Sequence, residues 1–285
     1  MPTAVDRSNL LFRKTERALL RLSDEQHADS VHAFRTTTLR LQTFLEQVLS
    51  KRDRNQKKLL KLLNRIRKRA GKVRDIDVQL AALRSLKIPQ EPRRQAQLMH
   101  GLIELRAKHE KRLRKLLTKS SVREVRKRLK RGAKTLRTED SRDALKAAHS
   151  VLTEVPRPAG PITEDLLHQY RTVVKRARYA AEFAPKSAES TQLISQLKRL
   201  QDAVGAWHDW LTLTQVAAKR LGDVNQSSLV AALHNVTRGK FRHAVAALST
   251  SPLIQTSIRP ITLLSSRRPA GAKSVGLMEQ TESAA

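Results

Sequence analysis

Apolar residues recur along this chain at three- and four-residue intervals, the spacing that gathers them on one side of a helix. Val31, Phe34, Thr38, Leu41, Leu45 and Val48 form one such stripe, and Leu167, Tyr170, Val174, Ala177 and Ala181 form another. Strand-type alternation and Asn-Gly or Asp-Gly hairpin signals are missing. The ten prolines fall where the periodicity stops, and between them Leu, Ala, Arg, Lys, Glu and Gln dominate, all strong helix formers. The pattern predicts helices over 5–22, 29–50, 54–86, 93–118, 121–137, 140–154, 163–184, 191–221 and 226–249. Ser121 and Glu124 have the spacing of a capping box, and Asp29-Ser30 precedes a periodic run. Beyond Pro252 the periodicity ends, so residues 251–285 are expected to be a mobile tail on an all-α fold.

The polar faces of two helices match. His32, Arg35 and Arg40 stand at the same mutual spacing as His168, Arg171 and Arg176, 136 residues later. About forty residues after each comes a second signature: Gly71 with Arg74-Asp75, then Gly205 with His208-Asp209, 134 residues later. Two linked matches at nearly equal offsets imply a duplicated helical unit. The expected architecture is two related bundles, about 5–137 and 163–250, related by a pseudo-twofold axis with the histidine helices facing a shared basic groove or channel. His168, Arg171, Lys175 and Arg178 gather within about half a turn of one another on the second of these helices.

Charge changes the picture from fold to partner. The 285 residues carry 57 Lys+Arg against 26 Asp+Glu, a formal net charge of +31. Such a balance repels itself and calls for an anionic partner. With no cysteine there is neither a disulfide framework nor a thiolate metal site, and a reducing compartment is expected. Leu10-Leu11-Phe12 is too short for the core of a secretory signal. The longest apolar runs, Leu229 to Leu233 and Ala244 to Leu248, fall far below the roughly twenty residues of a membrane span. A soluble cytoplasmic protein with no membrane association is expected.

Residues 51–75 hold twelve Lys+Arg and two acids, and residues 106–137 hold fifteen and two. Helices that merely need solvation alternate sign, whereas these almost lack acids, which favours anion binding. Nucleic acid and inorganic polyphosphate both fit a dense anionic partner. None of the nine aromatic residues lies in either basic stretch, so the rings on which bases stack are missing there. A chain of bare phosphates needs only guanidinium and ammonium groups. Polyphosphate is therefore the first-choice partner and nucleic acid the second.

A third alternative is a metal-dependent phosphohydrolase built on His168, His208, Asp209 and Asp223. Each repeat histidine, however, is followed three residues later by arginine, where a helical metal site would place a ligand at one-turn spacing. No metal, no cofactor and no catalytic residue are expected.

The strings VHAFRTTTLRLQTFL, GKVRDIDV, LHQYRTVVKRARYAAEF and LKRLQDAVGAWHDW, taken in order, resemble the CHAD family, the conserved histidine α-helical domain, over residues 5 to 250. The resemblance implies two helical bundles around a basic central channel that binds polyphosphate, in some members at polyphosphate granules. Leu39 and Gln42 stand where the family tends to place basic residues; Lys175 and Arg178 keep them in the second motif. No strand-rich segment corresponds to the triphosphate-handling tunnel domain that accompanies the family. The expected polyphosphate contacts are His168, Arg171, Lys175 and Arg178, joined by His32, Arg35 and Arg40 and then by Arg67, Arg74 and Lys198.

Overall fold

The computed structural model describes residues 4–87, 91–136, 142–155, 160–222 and 224–256. Among them the chain is helical throughout, with α1 Ala4–Asp24, α2 Ala28–Thr43, α3 Arg54–Ser85, α4 Pro92–Arg114 and α5 Lys119–Lys134. The second half contributes α6 Ala144–Leu152, α7 Glu164–Ala181, α8 Ala188–Leu221, α9 Ser228–Ser249 and the short α10 Pro252–Thr256. The predicted helix over 29–50 is interrupted: α2 gives way to a π-helical turn, Phe44–Val48, whose Phe44, Leu45 and Val48 are all buried. The wider turn re-aims these side chains into the core. Phe44 meets the Phe183 ring there at 4.9 Å between centroids. Pro252, placed beyond the last predicted helix, instead starts α10, where its missing N–H costs nothing. Residues 257–285 of the expected tail lie outside the described residues.

Side chains fix the starts of the two longest helices. Asp53 accepts from the backbone of Gln56 at 2.7 Å and the Gln56 side chain accepts in return from the backbone of Asp53, a reciprocal cap that starts α3. Ser187 and Ser190 do the same for α8, which ends at Gly222 with φ of 89°. The capping box expected at Ser121 is displaced: Thr118 caps α5, and the Ser121 hydroxyl donates to the carbonyls of Leu116 and Thr118. Glu124 pairs instead with Arg128 one turn on.

Both halves contribute to one large apolar core. Phe12, Phe34 and Leu63 from the first half and Leu167, Val174, Leu197 and Trp207 from the second belong to it, each 1% exposed or less. Burying one such leucine stabilises the fold by about 1.5–3 kcal/mol. A second, smaller core lies at the far end, where Ile76, Leu80 and Leu83 of α3 meet Leu98 and Leu102 of α4, Leu213 and Ala217 of α8, and Leu229, Val230 and Leu233 of α9. The long helices α3 and α8 thus each serve two cores. On α3 the change falls between Val73 and Ile76, and on α8 between Trp207 and Leu213. The polar pairs Arg74-Asp75 and His208-Asp209 occupy those two crossover points.

Candidate functional site

Helices α2, α3, α7 and α8 enclose a cleft of about 900 Å³. Its lining reproduces the internal offsets: Arg35 with Arg171, Thr36 with Thr172 and Arg40 with Arg176 are each 136 residues apart, and Asp75 with Asp209 and Arg67 with Gln201 are each 134 apart. Eight cations face this space, namely Arg35, Arg40, Arg67, Arg74, Arg171, Lys175, Arg176 and Arg178, together with His32. The carboxylates that line it are Glu46, Asp75, Asp202 and Asp209, half as many.

Several of the cations are held in place by acids. Arg35 donates to Asp75 at 3.1 Å and to the Gly71 carbonyl at 3.2 Å, bridging α2 and α3. Arg40 donates to both oxygens of Glu182, at 2.7 and 3.3 Å, and Arg176 donates to both oxygens of Glu154, at 2.6 and 3.2 Å. Such forked pairs fix the plane of the guanidinium. Arg178 lies 3.7 Å from Glu182. The Tyr179 ring, 3% exposed, is covered by Arg40 at 5.2 Å and Arg178 at 4.8 Å. Arg67 is held by Asn64 through two hydrogen bonds.

The remaining cations, Arg74, Arg171 and Lys175, form no ion pair among the described residues. Burial, followed by the guanidiniums of Arg171, Arg35, Arg178 and Arg67, pushes the Lys175 ammonium down to about 8. Arg171 is lowered by burial, against the opposing pull of Asp209 and Asp75, and Arg67 by burial and the charge of Arg35. His32 is lowered by burial and then by Arg74, Arg35 and Lys175, which favours its neutral form. Asp209 is raised, chiefly by burial; Arg171 opposes the shift and the carboxylate of Asp75 adds to it. The site is an array of desolvated positive charge with too little negative charge to balance it.

Eight of the ten residues expected to hold the ligand line this cleft; His168 and Lys198 do not. The His168 ring packs edge-on against Trp207 at 5.1 Å and His208 at 4.8 Å, and Lys198 is exposed on α8. The helical stagger explains both. His168 stands one turn nearer the N-terminus of α7 than Arg171, with its ring against Trp207 and His208, and Lys198 precedes by one turn the α8 residues that reach the cleft. Arg176, Gln201 and Asp202 join the lining without having been expected as ligand contacts, although Arg176 was matched to Arg40 and the 134-residue offset relates Gln201 to Arg67. Glu182 stands one helical turn after Arg178, a spacing visible in sequence, but its pairing with Arg40 carried no signal because the two are 142 residues apart.

Asp75, paired with Arg35, and Asp209 are two of the four carboxylates that line the cleft. No group of three or more His, Asp or Glu side chains among the described residues is arranged to hold a metal. Asp223, one of the ligands weighed for a phosphohydrolase, lies outside the described residues. No helix among them is long and apolar enough to cross a membrane.

No curated protein is detectably similar to the chain. Solved structures share its fold, two of them as follows. The CHAD domain from the plant Ricinus communis superposes with a TM-score of 0.58 at 17% identity, over 87% of either chain. PptA from Streptomyces chartreusis gives 0.63 at 16% identity, over 90% of this chain and 99% of its own. The family model of the CHAD domain matches residues 10–218, and the chain belongs to that family.

Proposed function

We propose that the cleft binds inorganic polyphosphate without turning it over, in the cytoplasm and at polyphosphate granules. The observation that carries this reading is the trio Arg74, Arg171 and Lys175, which face a partly desolvated space and form no ion pair among the described residues. An array that lowers the pKa of its own lysine gains stability when an anion enters. Phosphate oxygens would accept forked hydrogen bonds from the arginines and a point-charge contact from Lys175. The paired arginines, Arg35 and Arg40, are pre-oriented by Asp75 and Glu182, which reduces the ordering cost of binding.

A nucleic acid would bring bases as well as phosphates. Tyr179, the aromatic residue of the cleft, has its ring occupied by two guanidiniums and presents no face for stacking. A hydrolytic reaction would call for a metal to generate the nucleophile, and Asp75 and Asp209 stand among cations that oppose its entry. Competition at physiological salt separates these alternatives: labelled long-chain polyphosphate should be displaced by unlabelled polyphosphate far more readily than by duplex DNA, RNA or heparin. No orthophosphate should be released, with or without added magnesium, manganese or zinc. Preferential displacement by nucleic acid, or metal-dependent phosphate release lost on changing Asp209, would overturn the reading.

A further inference from the structure

Outside the cleft, α3 carries a second line of charge. Arg54, Lys58, Lys61, Arg65, Lys68 and Lys72 follow one another at alternating four- and three-residue steps, which places them along one side of the helix for about 27 Å. All six are exposed, none is in an ion pair among the described residues, and α3 has no acid between Arg54 and Arg74. Like charges one turn apart oppose helix formation. α4 packs against α3 and adds Lys108 and Arg112, also exposed. Between the two helices sits His109, its Nδ1 buried and without a partner. After burial, the charges that act on it are all cationic: Lys72, Arg112, Lys108 and Arg69.

The duplicated half is an internal control. The positions 134 residues after Lys61, Arg65, Lys68 and Lys72 are Ser195, Arg199, Asp202 and Ala206 on α8. α8, of similar length, keeps one cation at these four positions and turns two of them, Asp202 and Ala206, into the cleft, so it carries no matching exposed stripe there. The mutual repulsion of the stripe would be relieved by an anion bound along it.

We propose that this outer face of α3, with Lys108 and Arg112 of α4, is a second track for the same polyanion, holding the part of a long polyphosphate chain that runs out of the cleft. The proposal rests on the cleft being a polyphosphate site and adds a chain-length preference to it. α3 joins the two places, since its Arg67, Arg74 and Asp75 line the cleft while Lys68 and Lys72 lie on the adjoining face. No aromatic residue occurs anywhere in α3 or α4, so a single-stranded nucleic acid would find no stacking surface on the track.

Four full-length proteins test it: the parent; a track variant with Lys61, Arg65, Lys68 and Lys72 changed to Gln; a charge-matched variant with the exposed Lys186, Arg199, Lys219 and Arg242 changed to Gln; and a cleft variant with Arg171 and Lys175 changed to Gln. Each is titrated with tripolyphosphate, long-chain polyphosphate and duplex DNA over a range of salt, after circular dichroism has established equal helicity. The track variant should bind tripolyphosphate as the parent does and lose roughly tenfold or more in affinity for the long chain, its salt slope falling by about one for each cation removed. The charge-matched variant should lose much less. Equal loss in the track and charge-matched variants would reduce the stripe to general attraction and overturn the proposal, as would equal loss of short and long chains in the track variant or an effect confined to DNA. Unchanged long-chain binding by the track variant, with both polyphosphates lost in the cleft variant, would overturn the track while leaving the cleft assignment standing. Unchanged tripolyphosphate binding in the cleft variant would overturn the cleft assignment itself.

Discussion

Arg35 donates to Asp75 at 3.1 Å and so ties α2 to α3 at the cleft, whereas Arg171 and Asp209, 136 and 134 residues further along the chain, form no ion pair with each other. The two arginines are thus in different states before a ligand arrives. Arg35 already has an anionic partner in hydrogen-bond contact; Arg171 forms no ion pair among the described residues, feels Asp209 and Asp75 only through space, and is partly desolvated.

The first consequence is an asymmetry in binding. Arg171→Gln should weaken polyphosphate binding by about tenfold or more, since a charge-assisted hydrogen bond contributes about 1.5–3 kcal/mol. Arg35→Gln should cost less affinity and more stability, because it severs the link between two helices. Titration and thermal melting of both variants measure the contrast, and equal affinity losses would remove it.

Lys175 makes binding dependent on pH. Its pKa is lowered to about 8, so the folded apo protein gives up this proton more readily than the unfolded chain. The strain of the charged form is fully present below pH 8, and apo stability rises as pH increases from there toward the ordinary lysine value. Affinity should move the other way, falling above pH 8, and near that pH binding should take up protons as the ligand restores the ammonium. Calorimetry in buffers of different ionisation enthalpy reads that uptake. Lys175→Met should stabilise the apo fold by roughly 1–3 kcal/mol while weakening binding; a destabilised variant with parental affinity would contradict both.

His168 is expected to act through packing. Its ring contacts Trp207, which is fully buried, and His208, whose imidazole burial and neighbouring cations hold at about 3. In a Trp210→Phe background, His168→Ala should shift Trp207 emission to longer wavelength and lower stability by about 1–3 kcal/mol. Affinity should change little once the protein is folded. A large affinity loss with unaltered emission would restore His168 to the binding site.

Gly132 on α5 tests the packing of the core against α1. A Cβ built there would stand 2.8 Å from Cε1 of Phe12, a ring 1% exposed and hemmed in on all sides. Alanine gains up to about 1 kcal/mol of helix propensity, but the displaced ring costs about 1–3 kcal/mol. Gly132→Ala should therefore lower the melting temperature; a higher one would mean that Phe12 has room to move.

Much of the fold was legible because long amphipathic helices announce themselves. The stripe of Val31, Phe34, Thr38, Leu41, Leu45 and Val48 is buried as its spacing implied. The π turn at Phe44 was not legible, since it shifts hydrogen bonds without altering the apolar pattern. The start of α5 was misplaced because Ser121 and Glu124 fit a capping box as well as Thr118 fits a simple cap, and only the fold selects between them. In the cleft, residues that share one helix face, such as Arg171, Lys175 and Arg178, were readable from spacing. Pairings across the repeat were not. Glu182 holds Arg40 from 142 residues away, and His168 is turned toward Trp207 by packing that periodicity does not encode.

The most direct test of the central claim is the affinity of the variant in which Arg171, Lys175 and Arg178 are all changed to Gln, measured against labelled polyphosphate at the same salt as the parent. All three line the cleft; Arg171 and Lys175 form no ion pair among the described residues, and the one carboxylate contact of Arg178, with Glu182 at 3.7 Å, leaves Glu182 paired with Arg40 when it is removed. Polyphosphate binding in the cleft predicts a loss of at least about a hundredfold with helicity intact. Equal binding by the variant and the parent would place the ligand elsewhere.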